Sequence, residues 1–226
     1  NYFAAMMVNE GDADALISGY SRSYPTVVKP MLDLIGMAKG ASRIATTNII
    51  LSQRGPLFLS DTAINIDPTA EDLVTIARMT SKTVSLFGME PVTAMISYSN
   101  FGSSEHESAS KVNKAVSYLH SNFPHMIIDG EIQTDFALNS EMLKEIFPFS
   151  KLAGRKVNTL IFPNLDSANI TYKLLKELNK AESIGPIMMG MRKPVHILQL
   201  GASVEEIVNM TAIAVIDAQE KAKKHS

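Results

Sequence analysis

The sequence predicts an α/β protein built on a largely parallel sheet. Strand-like and helix-like segments alternate along the chain, and this alternation is typical of crossover connections between parallel strands. The composition is that of a packed globular protein, since 46% of the 226 residues are hydrophobic and 19% are charged. A chain of this length buries a sizeable core without a disulfide or a metal.

The segments before residue 60 predict three strands and one helix. Ala15–Ser18 is a short apolar run, and Ile44–Leu51 is rich in β-branched residues, as strands are. Leu57–Leu59 is a third strand candidate. Thr26–Ile35 has apolar residues at helical spacing and follows Pro25, which suits a first helical position.

The next helix is predicted to begin at Asp67-Pro68. Asp67 suits the capping position and Pro68 the first helical position, and Glu71 and Asp72 lie where the helix dipole favours negative charge. The remaining predicted elements are strands at Val92–Ser97, Met126–Ile128, Val157–Phe162 and Ile184–Met189, and helices at Glu107–Asn122, Asp135–Ile146, Asp166–Leu178 and Ser203–Lys224.

Composition and charge exclude several classes of protein. The chain has no cysteine, which excludes disulfide scaffolds, cysteine-ligated zinc, iron–sulfur clusters and thiol catalysis, and fits a reducing, cytoplasmic compartment. The net charge is −2 and only the Lys221–Lys224 tail is basic, so we expect no nucleic-acid partner. The longest apolar stretch, Ile207–Ile216, is too short to span a bilayer, and no signal peptide opens the chain, so we expect no membrane partner. Because the first residue is Asn1, we expect the chain to come from a larger or processed protein.

Ligands of parallel α/β proteins bind beyond the carboxyl ends of the strands. Four polar or glycine-rich segments fall at those ends, namely Ser18–Ser23, Ser97–Ser104, Asp129–Asp135 and Pro163–Asn169.

The start of the last helix is the clearest candidate site. Gly201-Ala202-Ser203 precedes this helix, and free N–H groups at a helix start attract anions. Ser203 and Glu206 also fit the S-x-x-E pattern of a capping box. The capping interpretation is favoured, and a phosphate site beside Glu206 is the alternative.

Three carboxylates, Asp129, Glu131 and Asp135, follow a predicted strand. Paired carboxylates perform acid–base catalysis in many enzymes, but a turn followed by a helix cap is the favoured interpretation.

The other chemistry-bearing residues form no recognised motif. Four aspartates match no metal-binding loop, so we expect solvated loops and no metal site; they are Asp12, Asp14, Asp61 and Asp67. The five histidines include no pair four residues apart, as a zinc helix requires. The cluster of Met188, Met189 and Met191 is interpreted as core filling rather than a binding surface. G-x-S-x-G, G-x-G-x-x-G and Walker motifs do not occur.

Several stretches, in order along the chain, resemble motifs of the phosphate acetyl/butyryltransferase family. They are Met6–Gly19, Phe58–Glu71, Ile128–Gln133, Leu160–Ile170 and Ile184–Ile187. The resemblance runs over the whole chain and leaves out about the first third of a complete family member. It implies a two-lobed α/β/α fold with mostly parallel sheets, similar to isocitrate and isopropylmalate dehydrogenases.

One branch of the family is more similar than the others. Lys193–Ser203, Ile207–Thr211 and Ser21–Pro25 resemble the C-terminal transacetylase-like domain of the large NADP-dependent malic enzymes. In that branch a malic enzyme module precedes this domain, holds NADP and a divalent metal, and decarboxylates malate to pyruvate. The resemblance implies that the domain binds no cofactor of its own, regulates that module with acetyl-CoA as inhibitor, and promotes a homodimer or a higher homo-oligomer.

Departures from the family pattern favour a domain without catalytic residues. Active transacetylases carry Asp-Leu-Ser-Arg-Gly where this chain has Ile197–Gly201, so Gln199 and Leu200 replace the serine and the arginine. Losing one donor to a developing negative charge typically costs about two to three decades in rate. Glu206 occupies the position of the catalytic aspartate, and Lys29 that of a second arginine, without its bidentate fork.

The same resemblance implies an acyl-CoA site. The residues expected to bind acetyl-CoA are Ser18, Lys29, Lys173, Gly201 and Ser203, with the pantetheine arm in a groove lined by Met188, Met189 and Leu200.

Glycine-containing breaks at Gly36–Gly40 and Gly185-Pro186 divide the chain into residues 1–35 plus 185–226, an incomplete first lobe, and residues 36–184, the second lobe.

The last helix is predicted to serve as both core and interface. One apolar face is widened by a second set of apolar residues, Val204, Val208, Ala212, Val215 and Ile216. The expected cover is a second chain or a further part of the same protein.

Three interpretations of function stay open. The first is a regulatory, acetyl-CoA-sensing domain of a malic enzyme, and the second is an active phosphate acetyl- or butyryltransferase. Leu200 favours the first over the second, because a guanidinium is lost there. The third is a purely structural dimerisation domain. The cations Lys29 and Lys173 and the helix start at Gly201 favour the first interpretation over it.

Overall fold

A computed structural model describes residues 1–19, 24–179 and 182–223 of the chain. Part of the predicted segment Ser18–Ser23, the resemblance at Ser21–Ser23, and the terminal Lys224 and His225 lie outside the described residues.

The described residues form eight helices and eight strands, which alternate over most of the chain. In chain order they are α1 (Tyr2–Glu10), β1 (Leu16–Gly19), α2 (Tyr24–Leu34), β2 (Ala45–Ser52), β3 (Gly55–Ser60), α3 (Ala70–Leu86), β4 (Val92–Ile96), α4 (Glu107–Asn122), β5 (Ile127–Ile132), α5 (Thr134–Leu138), α6 (Ser140–Ile146), β6 (Thr159–Ile161), α7 (Leu165–Asn179), β7 (Ser183–Met189), β8 (Val195–Leu198) and α8 (Val204–Lys223).

The strands form two sheets, and the predicted α/β class with mostly parallel pairing is confirmed. Six strands run in the order β5-β4-β6-β3-β2-β7, and β1 and β8 form a separate parallel pair. The pairs β3–β6, β6–β4 and β4–β5 are parallel, and only β2 runs antiparallel to its neighbours β3 and β7. A six-residue register joins β2 and β3 as a hairpin, which crossover alternation alone does not predict.

The six-stranded sheet is buried on both faces. Successive residues of β4 point into different clusters, because side chains alternate across a strand. Ala94 and Ile96 belong to a core shared with α7, and Met95 belongs to a core with α3 and α4. Parallel strands buried on both faces are continuous apolar runs, which is why VTAMI is apolar throughout.

A third core closes around the two-stranded sheet. Val8 of α1 and Met31 of α2 are buried there against Val195 and Ile197 of β8. A fourth cluster contains Leu198 of β8, Phe58 of β3 and Ile213 of α8, and so joins the small sheet to the large one. The predicted division into lobes stays a prediction; its boundary at residues 184 and 185 falls inside β7, which pairs with β2.

The start of α3 corrects the prediction made from Asp67-Pro68. Thr69 is the N-cap, since its hydroxyl accepts from the Asp72 N–H and the Asp72 carboxylate accepts from the Thr69 N–H. This reciprocal pair satisfies two N–H groups at once. Asp67 instead accepts from the Lys111 ammonium at 2.6 Å.

Other elements also differ from the prediction. The helix predicted at 135–146 is divided at Asn139, whose side chain caps α6 by accepting from the Met142 N–H. Helix α1 and strand β8 were not predicted, because each is short and depends on the other for its core. Within the described ranges, no helix is long and apolar enough to cross a membrane.

Candidate functional site

The site begins at the parallel pair of β1 and β8. Gly19 lies opposite Leu198 in this register. A β-carbon on Gly19 would lie 2.4 Å from the Leu198 carbonyl oxygen, and its φ of 111° is in the region that favours glycine. Only glycine therefore allows β1 to lie this close to the end of β8.

The segment Gln199–Ser203 joins β8 to α8. Gln199 and Leu200 follow the strand, and the Ala202 N–H donates to the Gln199 carbonyl at 3.3 Å. Gly201 has a φ of 73° and open space around its α-carbon. The Leu200 side chain is 66% exposed, so this segment presents an alkyl group to the surroundings.

The first turn of α8 is closed by the predicted capping box, which is confirmed. The Ser203 hydroxyl accepts from the Glu206 N–H at 3.1 Å, and the Glu206 carboxylate accepts from the Ser203 N–H at 2.8 Å. Both side chains thus satisfy groups of the helix itself, and these two N–H groups are taken.

Glu206 also binds a cation from α7. Its Oε1 lies 3.0 Å from Nζ of Lys176. Burial raises the pKa of Glu206, but the Ser203 N–H and the Lys176 ammonium outweigh burial and hold it below its ordinary value. Burial likewise lowers the pKa of Lys176, and the hydrogen bond and charge of Glu206 raise it above its ordinary value.

Lys173 lies one helical turn before Lys176 on the same face of α7. Its ammonium donates to the Gln199 side-chain oxygen at 3.0 Å and lies 5.2 Å from the centre of the Tyr172 ring. Burial lowers the pKa of Lys173 below its ordinary value, and the neighbouring Lys176 lowers it further. Two lysines of α7 therefore meet the start of α8, one at Gln199 and one at Glu206.

Two other predicted ligand residues, Ser18 and Lys29, belong to β1 and α2. The Ser18 hydroxyl donates to the Asn1 side-chain oxygen at 3.0 Å, and Lys29 is an exposed residue of α2. Within residues 1–19, 24–179 and 182–223, neither makes a hydrogen bond or ion pair to Lys173, Gln199 or Glu206. The acyl-CoA site as a whole stays a prediction.

The carboxylates at the end of β5 are part of the scaffold. The strand runs on to Ile132, so Asp129 and Glu131 lie within it, and the predicted turn at these residues is wrong. Glu131 accepts from Ser99 at 2.9 Å, from the Gly102 N–H at 2.6 Å and from Asn113 at 2.9 Å. Asp129 accepts from the Ser150 hydroxyl and the Lys151 N–H. Each carboxylate holds a loop against the sheet.

Asp61 corrects the expectation of a solvated loop. It is 3% exposed, and its carboxylate accepts from the Thr46 N–H at 3.0 Å and the Asn65 N–H at 2.9 Å. In the described part of the chain, no group of three histidine or acidic side chains is placed to share a metal ion.

The methionine cluster is core, as interpreted from the sequence. Met188, Met189 and Met191 are at most 5% exposed. They also line a cavity in which Leu200 takes no part, so the structure does not place them in a groove with Leu200.

Sequence reasoning missed Lys176 as the partner of Glu206. A signal was present, because Lys173 and Lys176 are three residues apart and therefore share a helix face. The position of α7 beside α8 was the unknown, and it comes only from the fold.

The chain is similar in sequence and in structure to known proteins. The profile of the phosphate acetyl/butaryl transferase family matches residues 1–215. The chain is 40% identical over 218 residues to an NADP-dependent malic enzyme of Haemophilus influenzae, covering 96% of this chain and 29% of that protein. It is also 40% identical over 225 residues to a phosphate acetyltransferase of Thermoanaerobacterium thermosaccharolyticum, covering 96% of this chain and 68% of that one.

A solved structure of a related protein has the same fold. A phosphotransacetylase from Streptococcus pyogenes superposes with a TM-score of 0.89 at 36% identity, over 99% of this chain and 67% of that one. The match extends from α1 into α8 and includes both sheets and the segment around Leu200. Fold, sequence profile and relatives agree, and the chain belongs to the phosphate acetyl/butaryl transferase family.

Proposed function

We propose that this chain is the regulatory, acetyl-CoA-sensing domain of an NADP-dependent malic enzyme. The observation that carries the proposal is Leu200, an exposed alkyl group where the family resemblance expects a catalytic arginine. An alkyl group cannot stabilise the negative charge that develops in acyl transfer. In support, the chain spans 29% of a malic enzyme relative, which leaves room for a separate catalytic module in a protein of that kind.

The state of Glu206 supports the same proposal. Its two carboxylate oxygens accept from Ser203 and Lys176, and its pKa is held low. A general base needs a pKa near the working pH and a free lone pair at the proton it removes. A carboxylate that caps a helix and pairs with an ammonium stabilises the fold and is poorly suited to act as a general base.

Binding of acyl-CoA depends on cations in this proposal. CoA carries several phosphate charges, and ammonium groups bind phosphate through charge-assisted hydrogen bonds. Lys173 donates to Gln199, next to Leu200, whose side chain is exposed. Since the capping box takes the N–H groups of Ser203 and Glu206, the phosphates rely on Lys29 and Lys173.

The test is titration calorimetry with acetyl-CoA on the full-length protein. Lys29→Ala and Lys173→Ala are each expected to weaken acetyl-CoA binding about tenfold, the loss of one charge-assisted bond, and to weaken inhibition of malate decarboxylation in parallel. Lys144→Ala, which removes an exposed lysine of α6, is the matched control. If both site variants bind and respond like the unaltered protein, the site lies elsewhere.

An active phosphate acetyltransferase is the second candidate, favoured by the 40% identity to such an enzyme over 68% of its length. The assay supplies acetyl phosphate and CoA and measures acetyl-CoA formed. We expect little product. A turnover of about 1 per second or more, typical of enzymes, would overturn the regulatory proposal and support the transferase.

We further propose that a second copy of this chain covers an exposed apolar surface of α7 and α8. Three α7 residues four apart are 54–74% exposed, Ile170, Leu174 and Leu178, and Val204 and Val208 of α8 are 79% and 60% exposed. The Lys176–Glu206 ion pair holds the two helices together. Val208→Glu is expected to shift sedimentation toward the monomer, and Glu145→Lys on α6 should leave it unchanged; an unshifted Val208 variant would contradict the proposal.

A further inference from the structure

A cavity of about 320 Å³ lies between α3, α8 and the end of β7. It shares no residue with the segment Gln199–Glu206 or with Lys29 and Lys173. A volume of this size is within the range of small-molecule sites in proteins. The cavity is therefore a separate place at which a ligand would fit.

The floor of the cavity is apolar. Met79 of α3, Met188 and Met189 of β7, and Ile213 of α8 line it. Methionine side chains are flexible and polarisable and adapt to the shape of an apolar ligand. The floor suits a hydrocarbon or aromatic body rather than a hydrated ion.

The rim is cationic. Lys39, Arg78, Lys82 and Lys221 line the cavity with a single carboxylate, Asp217. Lys221 lies 3.1 Å from that carboxylate and compensates its charge. A chain with a net charge of −2 thus gathers a local excess of positive charge at one cavity, which raises the local concentration of anions.

A buried histidine in the cavity wall lacks a hydrogen-bond acceptor. His196 is 1% exposed, and its Nδ1 accepts from the Met188 N–H at 3.3 Å. In the neutral ring Nε2 then carries the proton. Nε2 has no hydrogen-bond partner in the described part of the chain, and the Asp217 carboxylate is 3.7 Å away. His196 is therefore part of the buried wall and adds no negative charge that would repel an anion.

We propose that this cavity binds a small organic anion, a carboxylate, sulfonate or phosphate on an apolar body of roughly 15–20 non-hydrogen atoms. The apolar body packs on the methionines of the floor. The anion lies at the rim near Lys39 and Lys82. Such a ligand matches both the apolar floor and the cationic rim of the cavity.

The test uses anilinonaphthalene sulfonate, an anion on an aromatic body, in fluorescence titrations of the full-length protein. Phenylnaphthylamine, which has a similar body without the sulfonate, and inorganic sulfate are the comparison ligands. We expect one site per chain, with the sulfonate bound at least about tenfold more tightly than either comparison ligand, because body and charge contribute together.

Charge reversal locates the site. Lys39→Glu with Lys82→Glu is expected to weaken binding of the sulfonate at least about tenfold. The matched control, Lys114→Glu with Lys144→Glu, makes the same change of net charge on exposed residues of α4 and α6 and should leave binding within about twofold. Ala41→Trp, which fills the cavity from its wall, should also remove binding; thermal unfolding confirms that each variant is folded.

Three outcomes would overturn the proposal. The first is equal binding by the charge-reversed variant and its control, and the second is equal affinity for the neutral and the anionic aromatic ligand. The third is competitive displacement of the sulfonate by acetyl-CoA, which would assign the signal to the acyl-CoA site. The proposal stands or falls independently of acetyl-CoA sensing, since Lys173→Ala is expected to leave binding of the sulfonate unchanged.

Discussion

Replacing Glu131 by alanine tests whether the strand-end carboxylates are structural. Glu131 is fully buried, and its side chain accepts three hydrogen bonds, from Ser99, Gly102 and Asn113. Its backbone carbonyl accepts a fourth from the Phe101 N–H at 2.7 Å. The side chain thus holds the loop after β4 and helix α4 to the end of β5.

The loss of stability in this variant depends on whether each of the three donors stays buried or reaches water. The Ser99 hydroxyl is fully buried and is left with the neutral Ser103 hydroxyl, 3.0 Å away, in place of a carboxylate. Losing a hydrogen bond to a charged group costs about 2 kcal/mol there, whereas Gly102 and Asn113 reach water and lose about 1 kcal/mol each. Glu131→Ala is therefore expected to lower the free energy of unfolding by about 4 kcal/mol, a large part of the 5–15 kcal/mol that is typical of a domain.

Equilibrium unfolding in urea, followed by circular dichroism, measures this loss. Glu145→Ala, which removes an exposed carboxylate of α6, is the control and should change stability by about 0.5 kcal/mol or less. An unchanged urea slope shows that the comparison is between the same two states. A loss below about 1 kcal/mol for Glu131→Ala would refute the assignment of this carboxylate to the scaffold.

Two further predictions concern glycine geometry and pH. Gly19→Ala places a methyl group 2.4 Å from the Leu198 carbonyl and should cost about 3 kcal/mol. Gly201→Ala has an unfavourable φ but open space and should cost about 1 kcal/mol; equal melting temperatures of the two variants would contradict the contact. Burial lowers the pKa of His196 from 6.5 to about 4. The charge of Asp217 opposes this shift, and the charge of Lys221 adds to it. In the unfolded chain this histidine is protonated below about pH 6.5, and in the folded chain only below about pH 4. The free energy of unfolding therefore falls by on the order of 3 kcal/mol as the pH is lowered from neutral through this window. In His196→Asn this part of the pH dependence should disappear, and an unchanged acid slope in that variant would show that other groups cause it.

The elements that the sequence predicted well are those whose signals are local. The Glu107–Asn122 helix has the predicted bounds, because its period and its ends are local features. The Ser203–Glu206 capping box is also decided within four residues. The family motifs are linear patterns as well, and the family that they indicate is confirmed over residues 1–215.

Tertiary structure decided what depends on neighbours distant in the sequence. Thr69 rather than Asp67 caps α3 because Asp72 turns back to it, and Asp67 is drawn to Lys111, 44 residues away. Glu131 is a buried acceptor because Ser99 and Asn113 surround the end of β5. The ion pair of Glu206 with Lys176, and the cavity where His196 meets the cationic side chains of α3 and α8, also exist only in the folded chain. Hydrogen bonds and charges act over a few ångströms, so the partners of a polar side chain are set by which elements pack together, and a linear pattern does not contain that information.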